Sequence, residues 1–160
     1  LDMQMPERFE LEYTAPDGSK KRPVMIHRVC FGSIERFIGI LIEHFAGAFP
    51  VWLSPVQVKV LPISEKFADY ANSVAAALDA EGIRVETDHR AEKIGYKIRE
   101  ARNERTPYII VVGEKDQEAN LVSLRSRKNG EEGQVTLADF MARIKEEIAT
   151  KVIREVVKED

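Results

Sequence analysis

Apolar and polar residues alternate with period two over Phe9-Glu10-Leu11-Glu12-Tyr13, and a second apolar-rich run, Pro23 to Cys30, follows turn chemistry at Pro16-Asp17-Gly18-Ser19. Two strands joined by a polar loop are expected. From Ile34 to Phe45 the rhythm changes: Ile34, Phe37, Ile38, Ile40, Leu41, Ile42 and Phe45 would put apolar side chains on nearly every face of a helix. Such a helix calls for burial all round, which two strands cannot supply, so residues 1–50 read as the edge of another domain.

Beyond the connector Ala46-Gly47-Ala48-Phe49-Pro50 the pattern becomes that of an α/β domain occupying residues 51–160. Val56 to Val60 alternates as a strand. Ser64 is placed to cap a helix in which Phe67, Tyr70, Ala71, Val74, Ala75 and Leu78 recur at helical spacing, with Gly82 as its stop. Ile83 to Thr87 is a second strand, Glu92 to Glu104 a second helix closed by Pro107, and Tyr108-Ile109-Ile110-Val111-Val112 an unbroken apolar run of the kind buried on both faces of a sheet. Leu121 to Arg127 reads as a fourth strand and Lys128 to Gly133 as a turn. Thr136 with Asp139 forms a capping-box pattern that opens a last helix carrying Leu137, Phe140, Met141, Ile144, Ile148 and Val152. The predicted order, βαβαββα, makes the first three strands parallel through helical crossovers and the domain a three-layer α/β fold with a mostly parallel mixed sheet flanked by helices.

A chain of 160 residues with 44% hydrophobic and 32% charged residues is long enough for a real core and unlike disordered or low-complexity sequence. A single cysteine, Cys30, excludes an internal disulfide framework and any metal centre built from several cysteines of this chain. With 24 Lys and Arg against 27 Asp and Glu the net charge is −3, which argues against nucleic-acid binding by bulk positive charge but leaves room for a local basic face. Leu1 is not an initiator methionine, no secretory signal is visible, and Phe37 to Phe49 is too short to span a bilayer. A cytoplasmic protein is expected, and this chain reads as a piece of a longer one.

Four places carry candidate chemistry. Arg36 lies in the first turn of the apolar helix, where free N–H groups and a guanidinium together suit a phosphate; a structural salt bridge is the alternative. His27 is a lone histidine in an apolar run whose nearest candidate co-ligand, Cys30, would face the other side of a strand, so a metal site there needs ligands from outside this chain. Arg90 to Arg105 holds six basic residues against three acidic ones, and Gly95, Arg99 and Arg102 fall at i, i+4 and i+7, aligning two guanidinium groups with a position that lacks a side chain. Lys115, Arg125, Arg127 and Lys128 form a second basic cluster, with no acidic residue between Ala119 and Gly130. The loop from Asp88 to Ala91 and the turn from Gly113 to Asp116 should both lie beyond the carboxyl ends of parallel strands, where ligands of such folds gather. The alternative for the Arg90 to Arg105 segment is a solvated helix laced by pairs such as Lys97 and Glu100.

With both halves read, the whole chain closely resembles the threonyl-tRNA synthetase family. His27-Arg28-Val29-Cys30-Phe31-Gly32-Ser33-Ile34-Glu35-Arg36-Phe37 looks like the third signature motif of class II aminoacyl-tRNA synthetases, and the run from Ile38 to Val58 is more specific to the threonine enzymes. Glu92-Lys93-Ile94-Gly95-Tyr96-Lys97-Ile98-Arg99-Glu100 looks like the signature of the anticodon-binding domain, a domain shared with the histidyl, prolyl and glycyl enzymes.

The resemblance implies a strand-strand-helix remnant of a class II catalytic domain (1–50) followed by an anticodon-binding domain (51–160), in a homodimeric ligase that activates threonine with ATP and Mg2+ and transfers it to tRNA(Thr). It implies ATP-phosphate neutralisation by Arg36, and His27 as one of three protein ligands to a zinc ion that holds the threonine amino and hydroxyl groups. It implies anticodon contacts from the loop after Thr87 and from Arg99, Asp116 and Arg125. Ala91 stands where the family often has Asn, removing one contact, and Asp116 where it often has Glu. The remaining motifs and zinc ligands are expected upstream of Leu1, so this stretch alone should not activate threonine. A stand-alone RNA-binding module or non-catalytic paralogue, and an unrelated small-molecule-binding α/β domain, are the competing readings.

Overall fold

The computed structural model describes residues 1–153, and the chain divides into two units, Leu1–Gly39 and Ile40–Asp160. The first unit departs from the expected strand pair. It opens with a short helix, α1 (Gln4–Arg8), whose first N–H groups are capped by Asp2: its Oδ1 accepts from Gln4 at 2.8 Å and from Met5 at 2.9 Å. The period-two pattern from Phe9 to Tyr13 is broken at Glu10, which takes φ of +51°. Strand pairing survives only as β1 (Tyr13–Thr14) against β2 (Lys20–Lys21), antiparallel. The run from Pro23 to Cys30 forms no strand; Met25 makes one isolated bridge to Asp2. Extended apolar sequence needs a neighbouring ladder to become a strand, and none of the described residues supplies one. The opposite-face argument for His27 and Cys30 lapses with it.

The helix α2 (Ile34–Phe45) has the predicted bounds, and Ser33 Oγ accepts the Arg36 N–H at its start. It is not buried all round: Ile34, Ile38, Ile40 and Ile42 are each about half exposed or more, and Phe45 is its one buried residue.

The second unit is built on a five-stranded sheet. In chain order it contains β3 (Val58–Pro62), a 3-10 turn (Glu65–Phe67), α3 (Ala68–Ala80), β4 (Val85–Thr87), α4 (Ile94–Asn103), β5 (Tyr108–Val112), α5 (Glu114–Ala119), β6 (Val122–Ser126), β7 (Gly130–Val135) and α6 (Leu137–Thr150). The strands lie in the order β4-β3-β5-β6-β7. As predicted, β3, β4 and β5 are parallel and all of Tyr108–Val112 is buried; the structure adds that β3 lies between β4 and β5, and that β6 alone runs against the other four. No helix among the described residues is long and apolar enough to cross a membrane.

The two faces of the sheet are covered unequally. On one, Val58, Val60, Tyr108, Ile110, Val112, Val122 and Leu124 pack against Ala71, Val74 and Leu78 of α3 and Phe140 and Ile144 of α6. On the other, Leu61, Ile109 and Val111 pack against Ala101, Ile94 and Ile98 of α4, giving the third layer. Burial of these side chains, at roughly 25 cal/mol per Å2 of apolar surface, is what holds the layers together.

Two elements depart from the βαβαββα expectation, and two helix ends move. The polar segment Glu-Lys-Asp-Gln-Glu-Ala, expected as loop, is α5; the carboxylate of Asp116 accepts the Gly113 N–H at 3.0 Å, and Asn120 ends it with φ of +54°. The expected turn at Lys128 to Gly133 is largely strand β7, paired antiparallel to β6 with a bulge beside Leu124 and Arg125. Ser64 makes no side-chain cap and precedes the 3-10 turn, so α3 starts at Ala68; it stops as predicted at Gly82, whose φ of +75° needs no Cβ. Thr136 caps α6 as predicted, accepting the Asp139 N–H at 3.1 Å, but Lys151 in the left-handed region ends the helix and leaves Val152 outside it.

Candidate nucleic-acid interface

Because β3, β4 and β5 are parallel, the segments that follow β4 and β5 leave the sheet at one edge, as the sequence pattern requires. The segment after β4 is clamped. Arg90 donates to both carboxylate oxygens of Asp88, at 3.0 and 2.7 Å, and also pairs with Glu100. These bonds hold the buried Asp88 carboxyl well below the usual range, at about 2, and hold the Arg90 guanidinium firmly charged. A depression of about 580 Å3 lies here, lined in part by Lys59, Glu86, Asp88, Arg90, Glu100 and Glu104. Lys59 in turn pairs with Glu104, and Glu86 approaches it at 3.8 Å. Anionic side chains outnumber cations in this hollow, an unfavourable lining for a phosphate backbone.

Several cations of the two basic clusters are thus occupied inside the protein, which corrects the charge count. Lys97 is buried, and its ammonium donates to the carbonyls of Asp88 at 3.0 Å and Pro62 at 3.3 Å. Arg127 donates to the carbonyls of Arg105 (2.6 Å), Phe49 (2.8 Å) and Ala48 (3.2 Å), and its burial pushes the guanidinium pKa down.

What is left outside is sharply placed. Gly95, Arg99 and Arg102, aligned on α4 as the spacing predicted, line a second depression of about 390 Å3 with Ile98 and Asn103. Neither guanidinium makes an ion pair among the described residues, and a Cβ added to Gly95 would meet nothing within 4 Å. Tyr96, half exposed on the same helix, donates its hydroxyl to Glu100 at 3.0 Å.

On β6 the alternation of burial sends Val122, Leu124 and Ser126 toward the α3 and α6 layer, and Ser123 and Arg125 to the sheet face that carries α4. Arg125 lies opposite Ile109 and pairs with Glu131 of β7 at 3.0 Å. The next residue, Glu132, faces the other way as strand alternation requires and pairs with Arg143 of α6, which holds its carboxyl at about 2. Asp116 is almost fully buried; besides the Gly113 N–H its carboxylate accepts from Ser123 Oγ at 2.7 Å and Gln134 Nε2 at 2.8 Å. Three accepted bonds make it the tie between α5, β6 and β7. Ser123 and Gln134 were not singled out from sequence; the alternation Val122 to Ser126 already placed Ser123 beside Arg125, whereas Gln134 lay in a segment expected to be outside the sheet. Ala91 is exposed and adds only a methyl group.

Arg36 and His27 belong to the first unit. Arg36 is exposed in the first turn of α2, with no ion pair among the described residues. His27 is exposed, its Nε2 2.9 Å from Asp2 Oδ2, and no group of three His, Cys, Asp or Glu side chains among the described residues is arranged to hold a metal.

Comparison with known proteins bears on both halves. Residues 57–147 match the family model described as anticodon binding domain. The chain is 62% identical over 153 residues to a threonine–tRNA ligase of Caldanaerobacter subterraneus subsp. tengcongensis and 64% identical over 151 residues to that of Acetivibrio thermocellus, matching 96% and 94% of its own length. It spans about a quarter (24%) of the length of either relative. Among solved structures, the RNA binding domain of threonyl-tRNA synthetase from Cryptosporidium parvum Iowa II superposes with a TM-score of 0.68 at 39% identity, over 91% of this chain and 37% of that one. Histidyl-tRNA synthetase from Nostoc sp. PCC 7120 shares the fold, with a TM-score of 0.55 at 24% identity over 68% of this chain and 27% of its own.

Proposed function

The chain belongs to the anticodon-binding domain family, and we propose that it is the anticodon-reading part, with an adjoining catalytic edge (residues 1–50), of a threonine–tRNA ligase that activates threonine with ATP and transfers it to tRNA(Thr). The observation that carries the reading is the pair of guanidinium groups, Arg99 and Arg102, that make no ion pair among the described residues and are set beside the open backbone of Gly95 on a helix whose other central cation, Lys97, is consumed inside the protein. A strip of that kind meets a polyanion closely at one point while the rest of the molecule stays acidic. Close identity to threonine–tRNA ligases along almost the whole chain supports the same reading.

In this reading Arg99 donates directly to RNA. Arg125, held at the open sheet face by Glu131, exchanges that exposed ion pair for a base edge, a substitution that costs little because surface pairs are worth at most about 1 kcal/mol. Asp116, with its carboxylate engaged three times, acts by fixing the surface and not by touching a base. Arg36 would neutralise ATP phosphate charge, with Mg2+ as the accompanying cation. The imidazole of His27, beside a carboxylate of the kind that orients a ligating ring, suits one position of a zinc ion whose other ligands lie elsewhere in the enzyme. That zinc would supply Lewis-acid binding of the threonine amino and hydroxyl groups. A homodimeric, cytoplasmic parent completes the proposal.

The test is a binding titration of this chain against a stem–loop RNA carrying a threonine anticodon, over a range of salt. Preference for that RNA over one with an unrelated anticodon, with affinity falling as salt rises, is the expected result. Equal affinity for both would reduce the chain to a general RNA-binding module, and no affinity would sink the reading. For the catalytic edge, Arg36→Ala in the full-length enzyme should abolish exchange of pyrophosphate into ATP.

A further inference from the structure

A segment that joins two domains is ordinarily exposed, polar and loosely held. Residues 46–54, which lead from α2 into β3, are fastened instead: Ala48, Val51 and Ser54 are buried, and Val51 packs into the main core. Side chains from the body of the α/β domain hold the backbone of this segment. Arg84, just before β4, donates to the carbonyl of Trp52 at 3.0 Å and to that of Ser54 at 2.8 and 2.9 Å. Gln57, fully buried, donates to the Val51 carbonyl at 2.9 Å and accepts the Arg84 N–H at 2.9 Å. Further back, Arg127 holds the carbonyls of Ala48 and Phe49. The last turn of α2, which lies in the second unit, is tied into the same piece: the Gly47 N–H donates to Ile42 and the Ala48 N–H to Phe45, and the rings of Phe45 and Phe49 lie 5.8 Å apart.

Arg127 also reaches in a second direction. It donates to the carbonyl of Arg105, just past the end of α4, the helix that carries Arg99 and Arg102. One planar guanidinium thus joins the end of the RNA-facing helix to the segment that continues α2. When one ligand must occupy two sites, a stiff link of the right span keeps the second site at high effective concentration, and a slack one dilutes it. We propose that Arg127 and Arg84 are positioning residues for aminoacyl transfer, making residues 46–54 a rigid strut so that the anticodon end and the acceptor end of one tRNA are engaged together. The inference rests on the anticodon-reading proposal above and adds to it two arginines that touch neither RNA nor substrate.

The experiment compares the full-length enzyme with its Arg127→Ala and Arg84→Ala variants. Four quantities are measured well below the melting temperature: exchange of pyrophosphate into ATP, affinity for the threonine-anticodon stem–loop, charging of intact tRNA(Thr), and charging of a minihelix that carries the acceptor stem alone. In each variant kcat/KM for intact tRNA(Thr) should fall by about ten- to a hundredfold, the cost of slackened positioning. Exchange, stem–loop affinity and minihelix charging should not change, because none of them needs both ends of the tRNA at once. Arg127→Lys, which keeps the charge but cannot span three carbonyls, should show a smaller loss of the same kind, and it carries the test if Arg127→Ala does not fold. Undiminished charging of intact tRNA(Thr) overturns the proposal. So does a loss that minihelix charging or exchange shares equally, since that is the mark of a merely structural role. Failure of the parent reading looks different: the unmutated enzyme would then not charge tRNA(Thr), and the strut proposal would go with it.

Discussion

Lys97 and Arg99 stand two residues apart on α4, yet the ammonium of the first is buried against the carbonyls of Asp88 and Pro62 while the guanidinium of the second lines an open hollow. The same formal charge therefore does opposite work. Lys97→Ala strips two buried carbonyls of their donor and leaves a void, which should cost about 2–4 kcal/mol in denaturant unfolding. Arg99→Ala should change stability by no more than about 0.5 kcal/mol and should instead weaken RNA binding, lowering the salt slope by about 0.7 to 0.9 for one lost phosphate neutralisation. Unfolding and salt titrations on the two variants separate the roles; a destabilised Arg99→Ala or a fully stable Lys97→Ala would refute the division.

Asp88 and Arg90 predict an acid response. Asp88 titrates at about 2 in the folded protein, below the ordinary carboxylate value near 4. Its contribution is then fully present above pH 4 and is lost as pH falls from about 4 to about 2, because the unfolded chain takes up the proton first. Asp88→Asn should be less stable than the parent at pH 7, with the difference shrinking over that acid window. Equilibrium unfolding at pH 7, 4 and 3 measures it. Glu132, held at about 2 by Arg143, adds a loss of the same sign over the same window, so the Asp88→Asn variant should still weaken below pH 4.

Local signals in the sequence were legible, and distant partners were not. The bounds of α2, the buried run of β5, the Thr136 cap and the alignment of Gly95, Arg99 and Arg102 follow from spacing within one element, which is why each appears as expected. Helix α5 was hidden because six mostly polar residues carry no apolar period, and β7 because its glycines and glutamates read as a turn until β6 supplies a ladder. The surface available to RNA was misjudged for a related reason. Arg90, Lys97 and Arg127 counted as external charge, but their partners are a carboxylate two residues back and backbone carbonyls up to 79 residues away, and a carbonyl leaves no mark in a sequence.

Arg127 gives the cleanest case for a structural cation inside an apparent basic cluster. Its guanidinium joins the carbonyls of Ala48 and Phe49 to that of Arg105. Arg127→Ala should lower stability by about 1–3 kcal/mol, the cost of leaving such acceptors unmade, while RNA affinity measured well below the melting temperature and its salt slope stay put. Arg127→Lys should recover only part of the stability, since an ammonium cannot span three carbonyls as a planar fork does. A variant that folds as well as the parent but has lost one unit of salt slope would return Arg127 to the RNA surface.

Gly95 allows stability and binding to be pulled in opposite directions. It lies in the first turn of α4 with ordinary backbone angles, and an added Cβ meets nothing within 4 Å, so Gly95→Ala carries no steric penalty in the free protein. Alanine restricts the unfolded chain and favours the helix, which should raise stability by about 0.5 kcal/mol. If RNA approaches the α4 backbone at Gly95, one turn before Arg99, the same methyl occupies the space the RNA needs. Overpacking of about 1–2 kcal/mol would appear as a five- to thirtyfold loss of affinity. Thermal melting paired with stem–loop binding reads both effects in one variant. A Gly95→Ala chain that is more stable and binds as tightly as the parent would show that the hollow beside Arg99 is not where the RNA lies.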